Sequence, residues 1–188
     1  ENLAISSAYK SNYFILVEGY LDVIALHQSG FKETVACLGT AVTASHLSKL
    51  WTTADEIIIC LDGDNAGIRA SNRIIDIVLP ILTVKNKVSF IKLPPSMDPD
   101  DLVKSKGPDE FQRLLAKRIS LSEMIWNKEF NNNLFKSAEE RAFLENKLDE
   151  YCKILNDPSL KTNFRRYFKQ MLWDNVFKVS SLTNRKKA

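Results

Sequence analysis

The chain has 188 residues, 45% of them hydrophobic, and a formal net charge of +3. That length supports a sizeable core in one domain or two small ones, and so weak a net charge singles out no partner. No apolar stretch reaches about 18 uncharged residues, which excludes a membrane-spanning helix. Three scattered cysteines, Cys37, Cys60 and Cys152, exclude a disulfide framework and argue against zinc. The first residues carry no secretory leader pattern, so the expected setting is cytoplasmic. Charge is uneven along the chain. Residues 1–108 carry 10 Lys and Arg against 12 Asp and Glu, whereas residues 109–188 carry 16 against 11. An acidic front and a basic back suit a metal site beside a surface for an anionic polymer, although ordinary surface charge explains the balance equally well.

In chain order, residues 1–12 read as a lead-in from a preceding subdomain, because "ENLAISSAYKSNYF" starts abruptly. "YFILV" (13–17) is a strand, and "YLDVIALHQSG" (20–30) a helix stopped by glycine. "TVACL" (34–38) is a second strand. "TASHLSKLWTTA" (43–54) is a helix with a threonine N-cap, and "EIIICL" (56–61) is the strongest strand. "NAGIRASNRIIDIVLPIL" (65–82) is a helix that Pro80 bends or ends, and "KVSFIKL" (87–93) is a strand. This alternation predicts an α/β fold, a parallel sheet flanked by helices. The continuous apolar runs fit parallel strands buried on both faces. "LPPSMDPDDLVKSKGP" (93–108) is an ordered loop leading into a short helix. From about 109 only helical patterns remain. The expected domains are therefore 13–108, a small all-helical subdomain at 109–180, and a frayed basic tail at 181–188.

Ligands of open parallel sheets bind beyond the carboxyl ends of the strands, and acids gather there. Glu18 follows the first strand and Asp62 and Asp64 follow the third, while Asp98, Asp100 and Asp101 come shortly after the last. Asp22 lies one turn beyond Glu18. So many carboxylates repel one another unless a cation sits between them, and an oxygen-only set suits Mg²⁺ or Mn²⁺. Simpler roles compete with this one. Asp64 can cap the following helix, Asp22 can be a solvated helix residue, and "MDPDD" can be a turn and a cap. An EF-hand reading of "DGDNAG" fails, because Ala66 cannot ligate and the twelfth position is Arg73. His27 and His46 are expected to pack or face solvent. "CLGTA" (37–41) offers backbone N–H groups at Gly39 and Thr40 to a phosphate, or is a structural turn. "FRRYFKQMLW" (164–173) presents Arg165, Arg166 and Lys169 to nucleic acid, although its aromatics fit a helix core better.

"VEGYLDVIALHQSGF", "ACLGTAVT", "LDGDNAGIRA" and "DPDDLV", in that order, closely resemble the Toprim catalytic core of bacterial DNA primases of the DnaG type. The resemblance spans roughly residues 13–115 and is looser in the helices beyond. It implies synthesis of short RNA primers on single-stranded DNA at the replication fork, from nucleoside triphosphates, with Mg²⁺ or Mn²⁺ and no zinc in this segment. Glu18, Asp22, Asp62, Asp64, Asp98 and Asp100 fall on the family's metal-binding positions. Glu18, Asp62 and Asp64 fall on the catalytic ones, with Glu18 assisting proton transfer. The family's zinc-binding domain, its basic template-holding subdomain and its domain for the replicative helicase have no counterpart here. Little or no primer synthesis is therefore expected from these residues alone. Two other readings are a Toprim nuclease or topoisomerase domain and a non-catalytic interaction module. The first lacks a well-placed nucleophilic tyrosine, since Tyr20 is close beside Glu18 and the others lie in no motif. The intact acids weigh against the second.

Overall fold

A computed structural model describes residues 2–37, 41–131, 133 and 135–177. Helix α1 (Asn2–Ser11) leads into strand β1 (Tyr13–Val17), helix α2 (Tyr20–Gln28) and strand β2 (Thr34–Ala36). Helix α3 (Ala44–Leu50), strand β3 (Glu56–Ile59), helix α4 (Asn65–Val78) and strand β4 (Lys87–Phe90) follow. Next come α5 (Pro99–Lys106), α6 (Pro108–Ala116) and the two-residue strand β5 (Ile119–Ser120). Helices α7 (Leu121–Phe130), α8 (Ala138–Ile154) and α9 (Pro158–Leu172) complete the described residues, and α9 continues into a π-helical turn, Trp173–Phe177.

The sheet order is β2-β1-β3-β4-β5. The first four strands are parallel, as the apolar runs predict, and β5 is antiparallel to β4. β5 was not expected. Two residues show no alternation, and pairing with Ser89 and Phe90 rather than any local preference makes them a strand. Within the lead-in, α1 buries Ala4 and Ala8 against Phe14 and Ala54.

Crossovers between parallel strands are right-handed, so their direction fixes the helix faces. β1 to β2 runs one way across the sheet, and β2 to β3 and β3 to β4 run the other way. α2 therefore covers one face and α3 and α4 the opposite one. The α2 face holds the main core, where Ile15, Val17, Ile58 and Cys60 meet Leu26, Leu102 and Phe111. Phe31 and Phe111 form an edge-to-face pair with ring centroids 4.6 Å apart. That contact carries α6 into the sheet unit and moves the boundary past residue 108. The chain divides into one unit of residues up to Ile81 with Lys85–Leu121 and another of Leu82–Val84 with the residues from Ser122 on. In the second unit α8 and α9 are tied by Arg165 Nε donating to Asp149 Oδ1 at 2.8 Å. Among the described residues no helix is long and apolar enough to cross a membrane.

At the amino end of the strands, Arg118 donates from Nε and Nη2 to the two carboxylate oxygens of Glu56, at 2.8 and 3.0 Å. Ser89 Oγ adds a third bond at 2.6 Å. Burial pushes the Glu56 carboxyl up, but these donors outweigh it and hold the group below its usual range.

Candidate metal centre

The strand order reverses at the β1/β3 pair, and a crevice opens beyond their carboxyl ends. Glu18 stands exposed at the end of β1, one residue past buried Val17. Asp62 and Asp64 follow β3. Asp64 caps α4, its Oδ1 accepting from Gly67 N at 2.8 Å. The simpler role therefore exists, and it occupies one oxygen only. Asp98 likewise caps α5, accepting from Asp101 N at 2.6 Å.

Two glycines set this geometry. A Cβ on Gly67 would come within 2.0 Å of the Asp62 carbonyl oxygen, and one on Gly63 within 2.0 Å of the Pro94 carbonyl oxygen. Both approaches are backbone on backbone, so no rotamer change relieves them. Gly63 donates from N to Met97 O at 2.9 Å and accepts from Ser96 N at 3.0 Å. The loop bearing Asp62 and Asp64 is thereby stitched to the loop that delivers Asp98 and Asp100.

Asp22 is buried, and both its oxygens take backbone donors: Oδ2 from Gly19 N at 3.0 Å and Oδ1 from Asp100 N at 3.3 Å. Burial still raises its pKa, with Asp98 and Asp100 adding to the rise. A solvated helix residue is thus the wrong description of Asp22; it pins the start of α2 to the start of α5. Asp100 faces Lys104, whose Nζ lies 2.6 Å from its Oδ2. Asp62 is the strained member. Its Oδ1 is buried without a hydrogen-bond partner. Burial, then Glu18, Asp22, Asp98 and Asp64, push its pKa up to about 6.

An orphaned carboxylate oxygen facing four other acids is the polar arrangement that a hard cation satisfies. Glu18, Asp62 and Asp64 have oxygens to offer such an ion, with Asp98 behind them. Among the described residues no three His, Cys, Asp or Glu side chains converge into a finished ligand set. Backbone donors occupy both oxygens of Asp22 and one oxygen each of Asp64 and Asp98.

Gly39 and Thr40 lie outside the described residues. His27 Nε2 lies 3.0 Å from Thr34 O, and His46 Nδ1 lies 3.4 Å from Cys37 Sγ, so both histidines pack locally. Arg165, Arg166 and Lys169 belong to the second unit. Arg165 is ion-paired with Asp149, and Arg166 and Lys169 are exposed. Phe168 between them is buried and meets Phe164 and Tyr167 edge-on, so the aromatic stripe is core. The sequence pattern gave no notice of Arg69 and Arg73. Both line a hollow of about 540 Å³ beside Glu18. Their spacing of four, with apolar Ile74 and Ile77 on the same wall, is the only trace they leave in the sequence.

Residues 12–92 match the family model of the Toprim domain. The chain is 56% identical over all 188 residues to a DNA primase of Rickettsia conorii and spans 31% of that protein's length. Among solved structures it resembles a DNA primase domain from Pseudomonas aeruginosa, with a TM-score of 0.83 and 29% identity, over 95% of this chain and 57% of that one. It also resembles a DnaG primase catalytic domain bound to single-stranded DNA, with a TM-score of 0.79 and 30% identity, over 89% of this chain and 54% of that one.

Proposed function

From the chain's membership of the DnaG-type DNA primases, with their Toprim domain, we propose that it forms the nucleotidyl-transfer centre of a template-directed RNA polymerase. The product is a short RNA primer laid down on single-stranded DNA from nucleoside triphosphates. A solved DnaG catalytic domain holds single-stranded DNA, and that template class carries over to this chain as part of the proposal. The longer protein would act in the cytoplasm, with a replicative helicase as partner through a segment beyond these residues.

One observation carries the reading: the buried Asp62 Oδ1 has no donor and lies amid acids. Mg²⁺ or Mn²⁺ bound there would neutralise phosphate charge as a 3′-hydroxyl displaces pyrophosphate. The chain's own residues divide the remaining work. Asp62 and Asp64 hold their carboxylates at the strand tip, fixed by Gly63 and Gly67. Glu18 is exposed across the crevice, where it can accept a proton from an attacking hydroxyl. Asp22 pins the start of α2 to the start of α5, and Asp98 caps α5.

Calorimetric titration of Mn²⁺ into the chain tests the site, with the double variant Asp62→Asn/Asp64→Asn beside it. Binding in the unaltered chain and its loss in the variant supports the reading, and equal binding in both refutes it. In the longer protein, Glu18→Gln is expected to abolish primer synthesis while leaving DNA binding intact.

A further inference from the structure

The hollow beside Glu18 lies on the α4 side of the sheet, away from α2 and α5. Leu61, Ile74 and Ile77 give it an apolar floor, and Arg69 and Arg73 stand on its α4 wall. Both arginines are exposed, and neither makes an ion pair among the described residues. Like charges four residues apart on a helix repel. Two guanidinium groups without an ion pair among the described residues, at the mouth of an apolar hollow that Glu18 also lines, leave their donors free for an anionic ligand.

Resting on the metal reading above, we infer that Arg69 and Arg73 form the phosphate-binding wall of a nucleoside triphosphate site that Glu18 also lines. The planar fork of arginine suits phosphate oxygens. A volume of about 540 Å³ suits one small ligand rather than a continuous strand, which needs an open-ended track. The apolar floor suits a nucleoside. A phosphate chain lying there would have guanidinium groups on one side and Glu18, with any cation bound beside it, on the other.

The test uses the whole chain with Arg69→Gln, Arg73→Gln, the double variant, and Arg69→Lys/Arg73→Lys. Each is titrated with Mn²⁺ alone, with ATP in the presence of Mn²⁺, and with a short single-stranded DNA. The expected result is unchanged affinity for Mn²⁺ and DNA. ATP affinity falls about tenfold for each glutamine variant, further for the double, and less for the lysine pair. Unchanged ATP binding in the double variant overturns the inference. So does loss of DNA binding alone, which would assign the arginines to a strand, and so does an unaltered chain that binds Mn²⁺ but no ATP. If Mn²⁺ fails to bind while ATP binding still depends on both arginines, the inference stands and the metal reading falls. If neither ligand binds, both fall.

Discussion

Replacing Asp62 by asparagine is expected to stabilise the metal-free chain and to end its cation binding. Burial and four neighbouring acids lift the Asp62 carboxyl from 3.8 to about 6. The folded state then holds this proton more tightly than the unfolded chain does. The favourable contribution is full below 3.8 and is lost as pH rises through about 6, so at neutral pH the whole penalty is present. At full strength the displacement is worth about 3 kcal/mol. The side chain is only part-buried, and solvent screening reduces the figure to about 1 kcal/mol. Asparagine keeps the shape and removes the charge. Thermal unfolding in a chelator should therefore place the variant about 3 °C above the unaltered chain at neutral pH. That gap should close as the pH falls toward about 4, where Asp62 is protonated anyway. Adding Mn²⁺ should raise the midpoint of the unaltered chain and leave the variant where it is. A variant less stable at neutral pH, a gap indifferent to pH, or equal stabilisation of both by Mn²⁺ would refute the reasoning.

Gly67→Ala drives a Cβ into the Asp62 carbonyl and is expected to cost about 2–4 kcal/mol by chemical denaturation. It should weaken Mn²⁺ binding as well, because the clash is with the residue that presents the orphaned oxygen. Arg118→Gln removes the paired donors of Glu56 and should cost about 1 kcal/mol at neutral pH once screening is allowed for. The Glu56 pKa is lowered by this pairing, so the loss should be full above the ordinary carboxylate range and fade as pH drops below it; a loss that grows in acid would contradict it. Phe111→Ala empties the position opposite Phe31 and should cost about 3–5 kcal/mol, read as a lower urea midpoint with an unchanged slope.

The parallel strands were readable because burial on both faces leaves an unbroken apolar run, and "YFILV" and "EIIICL" have no other good use. The acids stand out in the sequence for the same reason: a charge at the end of such a run has few structural excuses. Three things were not readable, each because the information is not local. β5 exists only through its partner strand. Asp22 looks like any helix carboxylate until α5 arrives with the Asp100 N–H, 78 residues later. Arg69 and Arg73 drew no reading of their own, since nothing in α4 says which surface its polar side will meet. The capping reading of Asp64 and Asp98 was right as far as it went, since a cap occupies one oxygen of two.

The stitch between Gly63 and residues 96–97 has a consequence for how this region tolerates change. The two loops are held in step by main-chain bonds, and Ser96 adopts a left-handed φ of 59° to complete the turn. The segment from Leu93 to Asp98 acts as a spacer whose length matters more than its side chains. A conservative exchange at exposed Pro95 should pass unnoticed. Adding or removing one residue there would slide Asp98 out of step with Asp62 and disable the crevice as surely as deleting a carboxylate, without altering a single acid.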